Sequence, residues 1–297
     1  MGTVARRGAI TVVAFVVLAY GGGAVYLRMN ETNLVYQPHA MGGDAVKPLP
    51  DSLHLVSERL TLVSGDGTRL AGIVIPAADT AAQWLLYLHG NAGNVTSSLL
   101  PRFYARMHAL GLNVAAIDYR GYGESEKRTP DETGLYADAR ALYEWLHTVR
   151  HVPSSRIIIY GYSLGSGPAT ELALRVEASG LILESAFTSV PDRGAELYPW
   201  LPVHWLATQR FANIEKIGVV AMPKLLMHAR DDSIVPYEHG MRLFEAARAP
   251  KQWVELKGGH MRAFLDDSAQ FWGQVGAFTQ RLRTDLPLGE SPLPPPR

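Results

Sequence analysis

The chain has 297 residues, enough to bury one large core, and α/β folds of this size commonly form a single domain. Lys plus Arg and Asp plus Glu number 28 each, so no net field favours nucleic acid or acidic ligands, and no nucleic-acid partner is expected. There is no cysteine, which excludes a disulfide framework, a thiolate nucleophile, a Cys-ligated zinc site and lipid attachment through a thiol.

A short N-terminal tail, residues 1–7, carries Arg6 and Arg7 and precedes Gly8 to Leu27, a run of 20 residues without a formal charge. At ~1.5 Å per residue such a helix crosses the ~30 Å hydrocarbon core. Gly21 to Gly23 would weaken it in water, but a bilayer tolerates them better. Residues 8–27 are therefore expected to be a retained single-pass anchor, with a cleaved secretory signal as the alternative, since Gly22 and Ala24 suit a peptidase. Arg6, Arg7 and the terminal amine outweigh Arg28, so the tail is expected in the cytoplasm and the rest of the chain on the other side. On this reading the anchor is a separable tether, and removing residues 1–30 leaves an active soluble domain.

Residues 28–58 are expected to connect the anchor to a globular part over 59–285, with Pro and Gly concentrated between Gln37 and Pro50. Strands are expected at Arg59 to Ser64 and Arg69 to Pro76, paired through the Ser64-Gly65-Asp66-Gly67 turn. Apolar runs at Trp84 to Leu88, Leu112 to Ile117, Arg156 to Tyr160, Leu181 to Leu183, Leu225 to Met227 and Trp253 to Leu256 alternate with amphipathic segments. That alternation predicts a mostly parallel central sheet flanked by helices, an α/β fold. Ala141, Leu142, Trp145 and Leu146 recur at helical spacing and are expected to pack in the core.

The run Arg156 to Tyr160 leads into Gly161-Tyr162-Ser163-Leu164-Gly165 and then a helix-forming segment. In a G-x-S-x-G elbow the strand turns sharply into a helix, and glycines two residues either side of the serine let backbones pass without a Cβ clash. Ser163 is the candidate nucleophile. The N–H of Leu164, next in the chain and at a helix N-terminus, is a candidate donor to a developing oxyanion.

An insertion at about 187–222 holds Trp200, Trp205 and Phe211. These aromatics either line an apolar acyl pocket or pack the insertion onto the sheet. Its shortness argues against a large enclosed cavity. The strand at Lys224 to Ala229 leads into a loop with two carboxylates, Asp231 and Asp232. The strand at Gln252 to Leu256 leads into Lys257-Gly258-Gly259-His260, which places the candidate base His260 on a flexible loop beyond a strand end. His147 and His151 are four apart, but without an H-E-x-x-H pattern they are read as a solvated helix end, and no metal or cofactor is expected. The Pro-rich residues 286–297 are expected to be a disordered tail.

Serine, acid and histidine in that order is the chain order of α/β-hydrolases. Together with Asn33-Leu34-Val35-Tyr36-Gln37-Pro38, Leu88-His89-Gly90-Asn91-Ala92-Gly93-Asn94, Asp118-Tyr119-Arg120-Gly121-Tyr122-Gly123-Glu124-Ser125 and Asp232-Ser233-Ile234-Val235-Pro236, it makes most of the chain resemble an α/β-hydrolase of the membrane-anchored, protein-depalmitoylase-like branch. Two positions depart from that pattern: Lys127, where glycine is expected, and Ala212, where an acidic residue is usual. The resemblance implies the α/β-hydrolase fold with a short cap at 187–222. It selects Asp232 as the acid, with Glu184 at the end of the neighbouring strand as rival, and assigns the second oxyanion donor to the N–H of Asn91, with His89 organising that loop. It implies a serine hydrolase of esters or thioesters acting on a small-molecule or acylated substrate. A peptidase on the same fold and a non-catalytic binding protein remain open at this point.

Overall fold

The computed structural model describes residues 2–42, 46–97 and 99–284, so the expected Pro-rich tail lies outside the described residues. Eight strands form one sheet in the order β1-β2-β4-β3-β5-β6-β7-β8. β1 (Glu58–Val63) and β2 (Arg69–Ile75) make the expected antiparallel hairpin, and β2 also runs antiparallel to β4 (Asn113–Ile117). From β4 onward every pairing is parallel, through β3 (Trp84–Leu88), β5 (Ile157–Tyr162), β6 (Gly180–Glu184), β7 (Lys224–Ala229) and β8 (Lys251–Leu256). The central strands β3 to β7 are buried along their length and largely apolar because both faces of the sheet are covered.

Along β3, Leu86 and Leu88 face one helical layer while Leu85 and Tyr87 face the other, as the two-residue period of a strand requires. The first layer contains α3 (Glu132–Glu144), α4 (Ser166–Arg175) and α8 (Tyr237–Ala246), which contribute Leu142, Leu172 and Leu243. The second contains α2 (Leu100–Ala109), α9 (Gly259–Asp266) and α10 (Ser268–Thr284), which contribute Phe103, Phe264 and Phe271. Ala141, Leu142 and Leu146 are buried and Trp145 half-buried, in line with their spacing. The insertion after β6 holds three short helices, α5 (Val190–Leu197), α6 (Val203–Leu206) and α7 (Asn213–Lys216).

The N-terminal helix α1 spans Gly2–Val35 and is longer at both ends than the expected 8–27, so residues 28–35 are helix and not connector. Val13–Val35 is long and apolar enough to cross a membrane. Its two ends differ in surroundings. Val13, Phe15, Val16, Val17 and Leu18 are exposed, whereas Gly23, Leu27, Glu31 and Val35, four residues apart and so on one stripe, turn toward the cap. Leu27 packs with Leu201 and Val203, and a Cβ on Gly23 would lie 2.7 Å from the Trp200 ring. The buried Glu31 carboxylate accepts from Thr208 N (2.6 Å), Thr208 Oγ1 (2.5 Å) and Gln209 N (2.8 Å). The C-terminal part of the helix thus packs on the cap, with Glu31 as its clasp.

Arg120 is buried and bonds Asp138 on α3 (2.7 Å) and Asp66 in the hairpin turn (2.7 Å), which ties the antiparallel edge to the first helical layer. Asp118 Oδ1 accepts from Val95 N at 2.8 Å. The Asp118-to-Ser125 segment is therefore scaffolding behind the site.

Candidate active site

β5 delivers Ser163 at its C-terminal end, where the backbone turns into a short 3-10 turn and then α4. Ser163 has φ 51°, a left-handed conformation that costs a non-glycine residue on the order of 1–3 kcal/mol and persists only where the surroundings enforce it. The flanking glycines are sterically required. A Cβ on Gly161 would sit 2.5 Å from Ala169 Cβ, and one on Gly165 only 2.0 Å from the Leu88 carbonyl oxygen.

His260 Nε2 lies 2.9 Å from Ser163 Oγ, and its Nδ1 lies 2.7 Å from Asp232 Oδ2. The histidine is the second residue of α9, not part of a flexible loop. Gly258 and Gly259 adopt φ of 104° and 62°, and both N–H groups donate to Asp231, which fixes the turn that starts this helix. Asp231 therefore supports the loop while Asp232 faces the imidazole. Tyr162 adds a second restraint, since its hydroxyl donates to the His260 carbonyl at 3.0 Å.

Asp232 Oδ1 accepts from Ile234 N and Val235 N, both at 2.9 Å. Burial pushes its carboxyl up, but hydrogen bonds from His228 and His260 outweigh that and hold it well below the usual carboxylate range. His228 escaped the sequence reading. Its Nε2 is 2.8 Å from the Val235 carbonyl, which only accepts, so Nε2 carries the proton, and the same atom lies 3.3 Å from Asp232 Oδ2. A histidine interrupting the apolar strand Leu-Leu-Met-His-Ala was the available signal.

Asn91 and Leu164 both line the cavity beside Ser163. The loop carrying Asn91 is held from several sides. Gln37 N and Tyr122 Oη donate to the Asn91 carbonyl at 2.8 and 3.0 Å. His89 Nδ1 is 2.8 Å from the Gly90 carbonyl, so it donates into the peptide unit whose nitrogen is the Asn91 N–H. Burial pushes the His89 imidazole down to about 4, which keeps it neutral with the proton on Nδ1. Lys127 donates to the Gly123 carbonyl, and Ala212 is buried just before α7 where an acidic side chain would be desolvated. Neither departure lines a cavity at Ser163.

Glu184, at the end of β6, is buried and accepts from Tyr160 Oη at 2.6 Å. Burial pushes its carboxyl up to about 7, and burial does the same to Asp118. The folded chain therefore holds protons on both groups that the unfolded chain releases near pH 4. That stabilisation is full below about pH 4 and is lost as pH rises through about 7. Glu184→Gln is expected to raise the thermal unfolding midpoint relative to wild type at pH 8 and to change it little at pH 5.

Two cavities meet at Ser163. The larger, about 470 Å³, is lined by α1, the cap and the Ser233 to Val235 loop. The smaller, about 100 Å³, is lined by His260, Met261, Phe264, Glu184 and the His89 to Ala92 loop. The three aromatics considered for an acyl pocket line neither cavity. Phe211 is fully buried against Gly167, where a Cβ would lie 2.3 Å from its ring, so it packs the cap onto α4. Trp200 is 56% and Trp205 89% exposed, turned outward because the inner face of the cap is already filled by Leu201 and Val203 packed on Leu27. The apolar lining comes instead from Leu27, Leu34, Phe187, Val190, Leu197 and Leu206.

The sequence profile of the alpha/beta hydrolase fold matches residues 83–213. An uncharacterized protein of Mycobacterium tuberculosis is 37% identical over 257 residues, 86% of this chain and 89% of that protein. A lysophosphatidylserine lipase of Danio rerio is 34% identical over 203 residues, covering 62% of this chain and 51% of the lipase. Among solved structures, an esterase of Pyrococcus furiosus superposes with a TM-score of 0.68 at 20% identity, over 86% of this chain and 99% of its own. The chain belongs to the alpha/beta hydrolase superfamily.

Proposed function

We propose that the protein is a membrane-anchored serine hydrolase that cleaves carboxylic esters or thioesters through an acyl-enzyme. The observation that carries this reading is the continuous chain Ser163 Oγ to His260 to Asp232, at 2.9 and 2.7 Å, with the serine held in a left-handed conformation. Its sequence similarity to a lysophosphatidylserine lipase supports the same chemistry.

Ser163 attacks the carbonyl carbon while His260 Nε2 takes the hydroxyl proton. Asp232 accepts from Nδ1–H, fixing the tautomer and stabilising the imidazolium. The carbonyl oxygen becomes an oxyanion between the N–H groups of Asn91 and Leu164, and removal of one such donor typically costs about 100- to 1,000-fold in rate. The imidazolium then returns the proton to the leaving alcohol or thiol, and water repeats the sequence on the acyl-enzyme. Purified protein is expected to release p-nitrophenol from p-nitrophenyl butyrate, with fluorophosphonate pretreatment stopping release. Absence of turnover with a folded protein would overturn the reading.

The anchor rests on α1, whose apolar side chains Val13, Phe15, Val16, Val17 and Leu18 are exposed. Arg6 and Arg7 orient it with the hydrolase domain on the non-cytoplasmic side. A signal cut near Ala24 would break α1 within the stripe that contacts the cap, which favours retention over secretion. Full-length protein is expected to sediment with membranes, resist high-salt extraction and dissolve in detergent. A mature N-terminus near Val25, read by mass spectrometry, would instead establish cleavage.

A further inference from the structure

We propose that helix α1 is a substrate-binding element: it walls an acyl-chain site, and that site takes its chain from an ester resident in the bilayer. This rests on the hydrolase and anchor readings above. The two cavities at Ser163 are assigned by proton transfer. The leaving group must receive its proton from His260 Nε2, so it lies in the cavity that His260 lines, the smaller one. The acyl group then occupies the other side of the serine, the cavity of about 470 Å³, well within the range of small-molecule sites.

That larger cavity is built between two walls. α1 contributes Leu27, Leu34 and Val35, and the cap faces it with Val190, Leu197 and Leu206. Glu31 also borders it, but its carboxylate is occupied by Thr208 and Gln209 and acts as the clasp between the walls. The chain leaving α1 then donates from Gln37 N to the Asn91 carbonyl, so the same element that walls the cavity also touches the loop beside Ser163.

Geometry along α1 supplies the route. Apolar side chains from Val13 to Leu18 stand free of the protein, and one continuous helix carries that surface to Leu27 and Leu34. A hydrocarbon chain sliding along α1 therefore passes from bilayer to cavity in apolar contact. Leu34, Leu197 and Ile234 line the cavity and are themselves exposed, which marks its mouth. In the cap, Trp200 covers Gly23 of α1, and Trp205, on the helix that contacts α1, is open to solvent. Indoles in that position suit the membrane–water interface, where an apolar ring and a polar N–H are both satisfied.

The test uses full-length protein reconstituted in phosphatidylcholine vesicles. Catalytic efficiency on p-nitrophenyl octanoate relative to acetate is expected to exceed one in wild type, each buried methylene adding up to about fourfold. Leu34→Trp, a substitution at a partly exposed rim position, is expected to lower that ratio about tenfold or more by filling the mouth. Leu34→Ala should lower it less by removing contact. In a second arm, a dodecanoyl ester placed in the same vesicles as the protein is expected to be hydrolysed at least about tenfold faster than one supplied in separate vesicles. An octanoate-to-acetate ratio unaffected by both Leu34 variants, while Ser163 still reacts with fluorophosphonate, would overturn the α1 wall. Equal rates in the two vesicle arrangements would overturn delivery from the bilayer. Failure of wild-type Ser163 to react at all would remove the hydrolase reading itself and is distinguishable from both.

Discussion

Ser163→Ala is expected to lower kcat on p-nitrophenyl esters by about a millionfold while leaving the unfolding midpoint close to wild type. The magnitude follows from the non-additivity of such residues: loss of the nucleophile alone costs about as much as loss of the whole set. His260→Ala should cost nearly as much, since without Nε2 no group stands at 2.9 Å from Ser163 Oγ to take its proton. Stability should be spared, because alanine keeps the Cβ and removes only the hydroxyl, and the left-handed strain at this position remains. Steady-state kinetics with thermal melts of the same preparations check both parts.

Asp232→Asn is the second large effect, expected at about ten-thousandfold in kcat with the fold retained, through the wrong imidazole tautomer. The rival acid supplies the control. Glu184 is bonded to Tyr160 Oη, and burial holds its carboxyl up at about 7, whereas Asp232 is held ionised and bonds His260 at 2.7 Å. Glu184→Gln should therefore reduce turnover far less than Asp232→Asn. A reversal of the two would move the acid to the end of β6.

The residues whose roles are enforced by local sterics were readable from the chain. Gly161 and Gly165 must lack a Cβ wherever a strand turns this tightly, so the pattern around Ser163 carries its own explanation. The apolar runs that became strands were legible for a similar reason, because burial on both faces favours apolar side chains at most positions along them. The hairpin turn announced itself through Gly65 and Gly67.

Other features depend on partners remote in sequence. Glu31 lies just past Arg28, where the uncharged stretch ends, and read as part of a connector, yet its carboxylate meets Thr208 and Gln209 within 2.8 Å. Nothing near Glu31 in the chain announces that contact. The same limit hid the role of His228, whose meaning lies in its distance to Asp232. The cap failed for a different reason. Its helices α6 and α7 have four residues each, too few to express a helical period, so composition located Trp200, Trp205 and Phe211 without telling inward from outward. Phe211 went into the core and the two tryptophans to the surface.

Peptide mapping of the protein after reaction with a fluorophosphonate tests the central claim most directly. A single phosphonyl adduct on the peptide containing Ser163, lost in His260→Ala at matched exposure, is the expected result. An adduct on another serine, or a folded protein that takes up no label, would contradict the account.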